Sequence, residues 1–305
     1  MMTLFTIPKA FEGHVGVIQR NAIESWKLLR SDCEIILLGD DPGVAQAAEE
    51  SGVRHIPNVN RNEFGTPLLD SAYLLAEQAA TYPRLCYINA DIIMTSSFMR
   101  AADTVIKQSD WFMMTARRWN LDITANLDFK NGWEEGLLRD VSNHGHLGHH
   151  AEIDFWLYSK GLLQGIPPLA VGRMAFECWC LYKARSMKAD LIDATGTVVS
   201  IHQNHDYSHH PQGKEGIGTS LEAQRNRELV GGRRYFFIIR DRTHILTEKG
   251  LKRARDGWWL WRGLRTAQVL PVSAPFPVRM MMTVLNSVIN SSRDILAPIA
   301  RRIAR

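Results

Sequence analysis

The 305-residue chain predicts an α/β fold over residues 1–250, a mostly parallel sheet with flanking helices, followed by a basic, Trp-rich helical appendage over residues 251–305. Three observations predict it. Apolar runs of strand length alternate with segments of helical spacing through the first hundred residues, the pattern of a parallel sheet covered on both faces. The helical segments bring their own start and stop residues. From Gly250 onward, ten Lys/Arg stand against two Asp/Glu, a balance of +8 in a chain of net charge +4, so the body carries −4.

The elements follow in order. "TLFTIPKAF" opens as a short strand, and "VGVIQRNAIESWKLL" places Ile18, Ala22, Trp26 and Leu29 on one helix face. "CEIILLGDD" is an apolar strand closing in a Gly-Asp-Asp turn. "PGVAQAAEESG" is a helix with Pro near its start and Gly after its end. "VRHIPNV" reads as a short strand, "PLLDSAYLLAEQAA" as a helix and "RLCYINADII" as another apolar strand. "DWFMMTARRW" reads as a strand, and residues Asn120–His150, rich in Asn, Gly and His, as mostly loop and short helix. "IDFWLYSKG" is a further strand candidate, and "FECWCLYKARSMKA" is a helix with an acid in its first turn. "LIDATGTVVSIHQNHDYSH" is one strand or two running into a His-rich loop. No internal repeat is visible.

Composition excludes several classes. The four cysteines, Cys33, Cys86, Cys178 and Cys180, form no CxxC and sit in apolar surroundings, as reduced cytosolic thiols do. The N-terminus lacks the basic start and apolar core of a signal peptide. The longest uncharged stretches, Thr266–Val278 and Met280–Ser292, are too short to span a bilayer. The expected location is cytoplasmic, with peripheral association at the inner face of the membrane through the tail. An acidic body argues against nucleic acid as a partner.

Asp91 interrupts the apolar run "RLCYINADIIM", and an unpaired carboxylate in a buried strand is costly. At the carboxyl end of a parallel strand it faces the ligand crevice, as do Pro8–Lys9 and Asp40–Asp41. Asn89, two residues earlier, shares its face if the strand runs on. Two readings stand: an oxygen ligand for a hard divalent cation, or a strand-end acid capping a turn. Eight of the eleven histidines lie in "HGHLGHH" or in "IHQNHDYSHH". The second tract, with His202, His205, His209 and His210, follows a β-branched strand and suits metal ligation, whereas the first reads as a polar surface loop.

The succession "GDD", "FGTPLLDSA", "YINADII", "GRMAFECWC" and "IHQNHDYSH" resembles bacterial glycosyltransferases of the GT-A type, over roughly residues 3–250. Relatives carry "GRPGWDNWL" where this chain has "GRMAFECWC", Gly172 to Cys180. "NAD", with Asn89 in the first place, is a degenerate form of the Asp-x-Asp signature. The resemblance implies a Rossmann-type GT-A sheet, a nucleotide-diphosphate sugar donor, and Mn²⁺ or Mg²⁺ held by Asp91 with His202 or His205. It implies donor binding by Thr6, Ile7, Pro8, Asp40, Asn89, Asp91 and Arg173. It also places Glu177 as the base of an inverting transfer, at the position of the family's usual Asp. Asp154 is a rival acid, and Arg118, like Arg117, is a strand-end arginine able to reach phosphate or acceptor. The acceptor implied is a carbohydrate or a lipid-linked glycan in surface polysaccharide or glycoconjugate synthesis.

Three competitors remain. A nucleotidyltransferase needs a Gly-rich phosphate loop, which "TIPKAFEGHVG" lacks. A zinc hydrolase places its ligands as HxHxDH or HExxH, which "HQNHDYSHH" does not match. A non-catalytic binder of anionic polymers would use the tail. There, "GWWLWRGLR" sets three tryptophans beside two arginines. Val278, Met281, Met282, Leu285, Val288, Ile289 and Ser292 recur at helical spacing, flanked by Arg279 and Arg293. Such a face suits an anionic membrane surface, or packs on the body or on a second subunit.

Overall fold

The apolar runs assemble into one large sheet and a smaller one in the computed structural model, which describes residues 1–30, 32–206 and 213–258 and scattered positions between 263 and 288. In chain order the elements are β1 (Met2–Thr6), α1 (Gly13–Lys27), β2 (Cys33–Leu38), α2 (Val44–Ser51), β3 (Arg54–Ile56), α3 (Leu69–Ala79), β4 (Arg84–Ile88), β5 (Ile92–Met94) and α4 (Ser96–Gln108). They continue with β6 (Phe112–Thr115), β7 (Trp119–Leu121), α5 (Trp133–His144), β8 (His146–Leu147), β9 (Phe155–Ser159), α6 (Phe176–Ser186), β10 (Asp190–Asp193) and β11 (Ser200–Gln203). Last come α7 (Gly213–Thr219), α8 (Leu221–Leu229), β12 (His244–Thr247) and β13 (Gly250–Arg253).

The nine-stranded sheet has the order β13-β12-β10-β6-β9-β4-β1-β2-β3. It is mostly parallel, with β9 antiparallel between β4 and β6 and β13 antiparallel on the edge. The chain moves outward from β1 to β2 and β3, then returns to place β4 on the other side of β1. Connections therefore diverge between β1 and β4, and a crevice opens at their carboxyl ends. The second sheet, β5-β11-β7-β8, stands beside that crevice.

Strand alternation decides which helix covers which face. Met2, Leu4, Cys86, Ile88, Phe155 and Leu157 share a core with Ala22, Ile23 and Trp26 of α1, Val44 and Ala48 of α2, and Phe98 and Ala102 of α4. The alternate residues point the other way. Phe5 meets Tyr73 of α3 at 5.0 Å between ring centroids, and Tyr87 and Trp156 meet Phe176 of α6 at 5.4 and 5.0 Å. A smaller core of Ile93, Leu121, Ile123, Leu137, Val141 and Ile201 joins the second sheet to α5.

One sequence expectation is corrected and the element list is extended twice. The run "RLCYINADII" is not one strand: β4 leaves the large sheet at Ile88, and Ile92–Met94 pairs antiparallel with β11 in the other sheet. The region 120–150 contains a helix of 12 residues, α5, because Leu137 and Val141 lie one turn apart and bury against the second sheet. The amphipathic α4, with Phe98, Ala102 and Val105 buried along one face, goes beyond the expected elements.

All four cysteines are free thiols. The chain divides into two compact units, Met1–Arg253 and Ala254–Arg305. In the second, Leu285 and Val288 of the expected apolar face are exposed, and the other positions of that face lie outside the described residues. No helix among the described residues is long and apolar enough to cross a membrane.

Candidate functional site

The turn Asn89–Asp91, between β4 and β5, carries the first functional group. Its tightness comes from the Ile92 N–H, which donates to the Asn89 carbonyl at 3.2 Å. β11 runs antiparallel to β5 with His202 opposite Ile92, so the histidine string lies against this turn. The Asp91 carboxylate oxygen Oδ2 lies 3.1 Å from Nε2 of His205 and 3.6 Å from Nε2 of His202. One ligand atom from each of the three residues falls within 4.8 Å of the others.

The three groups shift one another's proton affinity. Burial alone would raise the Asp91 pKa, but the His205 hydrogen bond and the charges of His202, Lys9 and His205 hold it well below the usual carboxylate range. Burial lowers the pKa of His202 despite Asp91 and favours the neutral imidazole that ligation requires. His205 is shifted upward, first by its hydrogen bond to Asp91. Asp91 Oδ1 and His202 Nδ1 are buried and have no hydrogen-bond partner among the described residues. Buried polar atoms are normally satisfied, so an orphaned carboxylate oxygen beside two imidazoles fits a divalent cation.

Next to the trio, a cleft of about 570 Å³ opens at the carboxyl ends of β1, β2 and β4. Ile7, Pro8, Lys9, Asp41, Arg61, Tyr87, Asn89, Asp91, Arg173 and His205 are among its lining residues. The segment after β1 is held by Gln19: its Oε1 accepts from the Lys9 N–H at 2.7 Å and its Nε2 donates to the Lys9 carbonyl at 2.9 Å. Burial lowers the Lys9 pKa, Asp91 opposes that shift and Arg173 reinforces it, so the ammonium lies within charge range of both. Arg173 is oriented by Glu222 at 2.7 Å, and Asn62 donates to the same carboxylate at 2.7 Å. Arg61 bridges Asp40 at 2.6 Å and Asp41 at 2.8 Å.

The proposed base lies in the first turn of α6. Phe176 anchors that turn among the aromatic rings, and the N-cap residue Ala175 has φ 91°, a left-handed conformation disfavoured for any residue with a Cβ. Burial pushes Glu177 up to about 7; a backbone N–H and Arg118 pull it down, and Asp154 adds to the rise. The Tyr87 phenol is pushed up by burial first and then by the charges of Glu177, Asp91 and Asp154.

The expected residues therefore divide. Asp91, His202 and His205 come together, and Ile7, Pro8, Asn89 and Arg173 line the neighbouring cleft. Thr6 does not: it is fully buried, because it falls on the strand before the chain reaches the cleft rim. Asp40 is exposed and paired with Arg61, and Asp41 takes its place in the lining. Asp154 accepts from Arg118 at 2.8 Å and from the Asn89 amide at 2.7 Å. Its carboxylate is paired on both oxygens, and Asn89 turns toward it instead of sharing a strand face with Asp91. Arg118 is likewise paired with Asp154, and it, Glu177 and His202 all lie outside the lining of the cleft. His209 and His210 lie outside the described residues. Sequence reasoning placed Lys9 and Asp41 at the crevice without giving them a role. Arg61, Gln19 and Tyr87 were missed; a polar residue in a loop or a tyrosine in a strand carries no local signal of facing a ligand.

No family model matches the chain, and no curated protein matches it. Solved structures do. Glucosyl-3-phosphoglycerate synthase from Mycobacterium tuberculosis, in complex with Mn²⁺, uridine diphosphate and phosphoglyceric acid, is 15% identical over 76% of this chain and 79% of that one, with a TM-score of 0.48. S. aureus TarS 1–349 in complex with UDP-GlcNAc is 11% identical over 75% of this chain and 65% of that one, with a TM-score of 0.49.

Proposed function

We propose that the chain is a metal-dependent glycosyltransferase of the GT-A type that moves a sugar, with inversion, from a nucleotide-diphosphate donor to an acceptor hydroxyl. The observation that carries this reading is the Asp91–His202–His205 trio bordering a cleft that also contains Lys9 and Arg173. A carboxylate and two imidazoles provide for a cation, and two positively charged side chains provide for the diphosphate that shares it. Two nitrogen donors in the set favour Mn²⁺ over Mg²⁺, which prefers oxygen ligands throughout.

Each residue then has a role. Ile7 and Pro8 form the apolar wall for the nucleoside, with Asp41 as an acceptor for its hydroxyls. Lys9 and Arg173 bind the diphosphate, and Glu222 fixes the Arg173 guanidinium. Asp91, His202 and His205 hold the cation, which, when bound, supplies Lewis-acid stabilisation of the leaving diphosphate. Glu177, with a pKa near neutrality, takes the proton from the attacking hydroxyl at its carboxylate oxygen. Arg118 and Asp154 neutralise one another beside Glu177, so the base faces a balanced environment.

The trio by itself also suits a metal-dependent phosphoester hydrolase. Transfer and hydrolysis differ in whether loss of the donor depends on an acceptor. The test is a thermal-shift screen of UDP-, GDP-, CMP- and dTDP-sugars with and without Mn²⁺, followed by product analysis. A donor that raises the midpoint only with metal supports the reading. Stabilisation by none of them, or breakdown of the donor at equal rates with and without acceptor, overturns it.

A further inference from the structure

We propose that the pocket between α5 and the loop after β7 binds a neutral or amine-bearing sugar ring, and that it holds the part of a glycan acceptor that trails behind the reacting hydroxyl. The first half stands on the geometry and chemistry of the pocket; the second rests on the glycosyl-transfer reading above.

The pocket has a volume of about 630 Å³. Its inner wall is apolar: Leu121, Ile123 and Leu137 line it, and all three are buried. Its rim is polar and includes Asn126, Asp140 and His144, all exposed. Helical spacing produces part of this arrangement. Leu137, Asp140 and His144 stand three and four residues apart on α5 and so share one face, the first at the wall and the others at the rim.

The loop that forms the other side is fixed at both ends. The Asn204 amide donates to the Asp122 carboxylate at 2.7 Å, and the Asn204 N–H donates to the Leu121 carbonyl at 2.9 Å. Asn21, buried in α1, donates to the Ala125 carbonyl at 3.0 Å and accepts from the Leu127 N–H at 2.9 Å. A pocket whose walls are set before binding loses less freedom when a ligand enters.

The lining selects the ligand class. A pyranose has C–H groups on its faces and hydroxyls around its edge. The first suit the leucine and isoleucine wall, and the second suit amides, carboxylates and imidazoles, which between them donate and accept. Among the described residues no lysine or arginine lines the pocket, whereas Asp122 and Asp140 do. A phosphate or carboxylate would meet like charge there without a cation to pair with; a hydroxyl or an ammonium would not. The donor cleft is the opposite case, with Lys9 and Arg173 in its lining.

The pocket also connects to the reaction. A further cavity of about 630 Å³ adjoins both spaces, sharing Asp122 and Asn204 with the pocket and Glu12 and His205 with the donor cleft. Asn204 directly precedes His205, whose Nε2 lies 3.1 Å from Asp91 Oδ2. A path therefore runs from the trio to the pocket. A single ring does not fill it from end to end; a chain of several rings does, with its reacting end at the cleft.

The test titrates the full chain, without donor or metal, with neutral tetrasaccharides of glucose, mannose, galactose and N-acetylglucosamine, with tetraglucosamine, and with a sulfated tetrasaccharide as the anionic control. Calorimetry is expected to show binding of at least one neutral or amine-bearing chain. Asp140→Ala with Asn126→Ala should raise its Kd tenfold or more, and Asp91→Asn should leave it unchanged; Asp140→Ala alone serves if the double variant does not fold. Binding of none of these chains, an unchanged Kd in the pocket variants, loss of binding in Asp91→Asn, or tightest binding of the sulfated chain overturns the site. The acceptor half is read separately, with donor and Mn²⁺ supplied. The wild-type KM for the tetrasaccharide that binds should lie at least tenfold below that for its monosaccharide. The pocket variants should remove that difference and leave donor KM unchanged. Equal KM values for the two acceptors in the wild type overturn that half. A protein that binds the tetrasaccharide at the pocket but no nucleotide sugar with Mn²⁺ overturns the glycosyl-transfer reading and keeps the glycan site.

Discussion

Gln203 holds the backbone carbonyl of Asp91 twice, through its own N–H at 3.3 Å and through its side-chain amide at 3.1 Å. The same amide donates to the Ile18 carbonyl at 2.7 Å, and its oxygen accepts from Asn21 at 3.0 Å. One fully buried side chain thus locks the β4–β5 turn, α1 and the end of β11 together. Since His202 precedes Gln203 and His205 follows it by two residues, the lock also sets the distance between the carboxylate and both imidazoles.

Gln203→Leu removes the three side-chain bonds at nearly constant volume, keeps the backbone N–H on the Asp91 carbonyl, and leaves the Asn21 amide and the Ile18 carbonyl each short of one partner. Each buried unsatisfied group costs about 1–3 kcal/mol. The expected result is a lower unfolding midpoint and Mn²⁺ affinity reduced about 10–100-fold, the usual effect of losing a group that orients metal ligands. Calorimetric titration of Mn²⁺ reads it, and unchanged affinity in a folded variant would remove Gln203 from the site.

Asp91→Asn keeps the shape of the side chain and removes its charge. Metal-dependent donor binding is expected to disappear, since the site then offers two neutral imidazoles and an amide to a divalent cation. The midpoint without metal should stay near the wild-type value or fall slightly through loss of the His205 contact. Mn²⁺-dependent turnover at the wild-type rate would show that the cation sits elsewhere.

Glu177→Gln has a signed pH dependence. The folded pKa is raised from 4.5 to about 7, so the native state holds the proton more firmly than the unfolded chain. Stability from this group is complete below about pH 4.5 and is lost as pH rises toward 7, by an amount on the order of 2 kcal/mol. The Gln variant should therefore gain midpoint relative to the wild type between pH 5 and pH 8. Its turnover should fall by about 10²–10⁴-fold, with donor binding retained. A pH-independent midpoint difference would show that the carboxyl is not held in a desolvated site.

Ala175→Gly relieves the φ of 91° at the α6 N-cap. A left-handed backbone costs an L-residue roughly 1–2 kcal/mol, part of which glycine returns through its freedom in the unfolded chain. A net gain of about 0.5–1 kcal/mol, or roughly 1–3 °C in midpoint, is expected by thermal denaturation. A decrease in midpoint would show that the methyl group, buried in the wild type, contributes more by packing than it costs in strain.

The tail is tested by flotation. We expect the full chain to float with anionic vesicles at low salt and a chain ending at Arg255 to stay behind, because the cationic and Trp-rich residues follow that point. If both remain in the soluble fraction, the tail has a structural role in the protein itself.

Much of the fold was legible in the chain. Continuous apolar runs bounded by turns mark β1, β2, β4 and β9, and helical spacing marks α1, α2 and α3, because burial on both faces of a parallel sheet leaves a local record in residue order. Asp91 announced itself as a charge in an apolar run, and the histidines of "IHQNHDYSH" did so by density. Other features were not written locally. The ion pair of Asp154 is made with Arg118, 36 positions away. Whether Asn89 follows Asp91 depends on where β4 leaves its sheet. Lys9 joins Asp91 only because β1 and β4 are neighbours in the sheet, and Thr6 is excluded because the cleft begins one residue beyond it. Periodicity reports which face a residue occupies; partners, charge pairing and desolvation are set by segments that meet only when the sheet closes, and those are what turn a carboxylate into a ligand, a base or a brace.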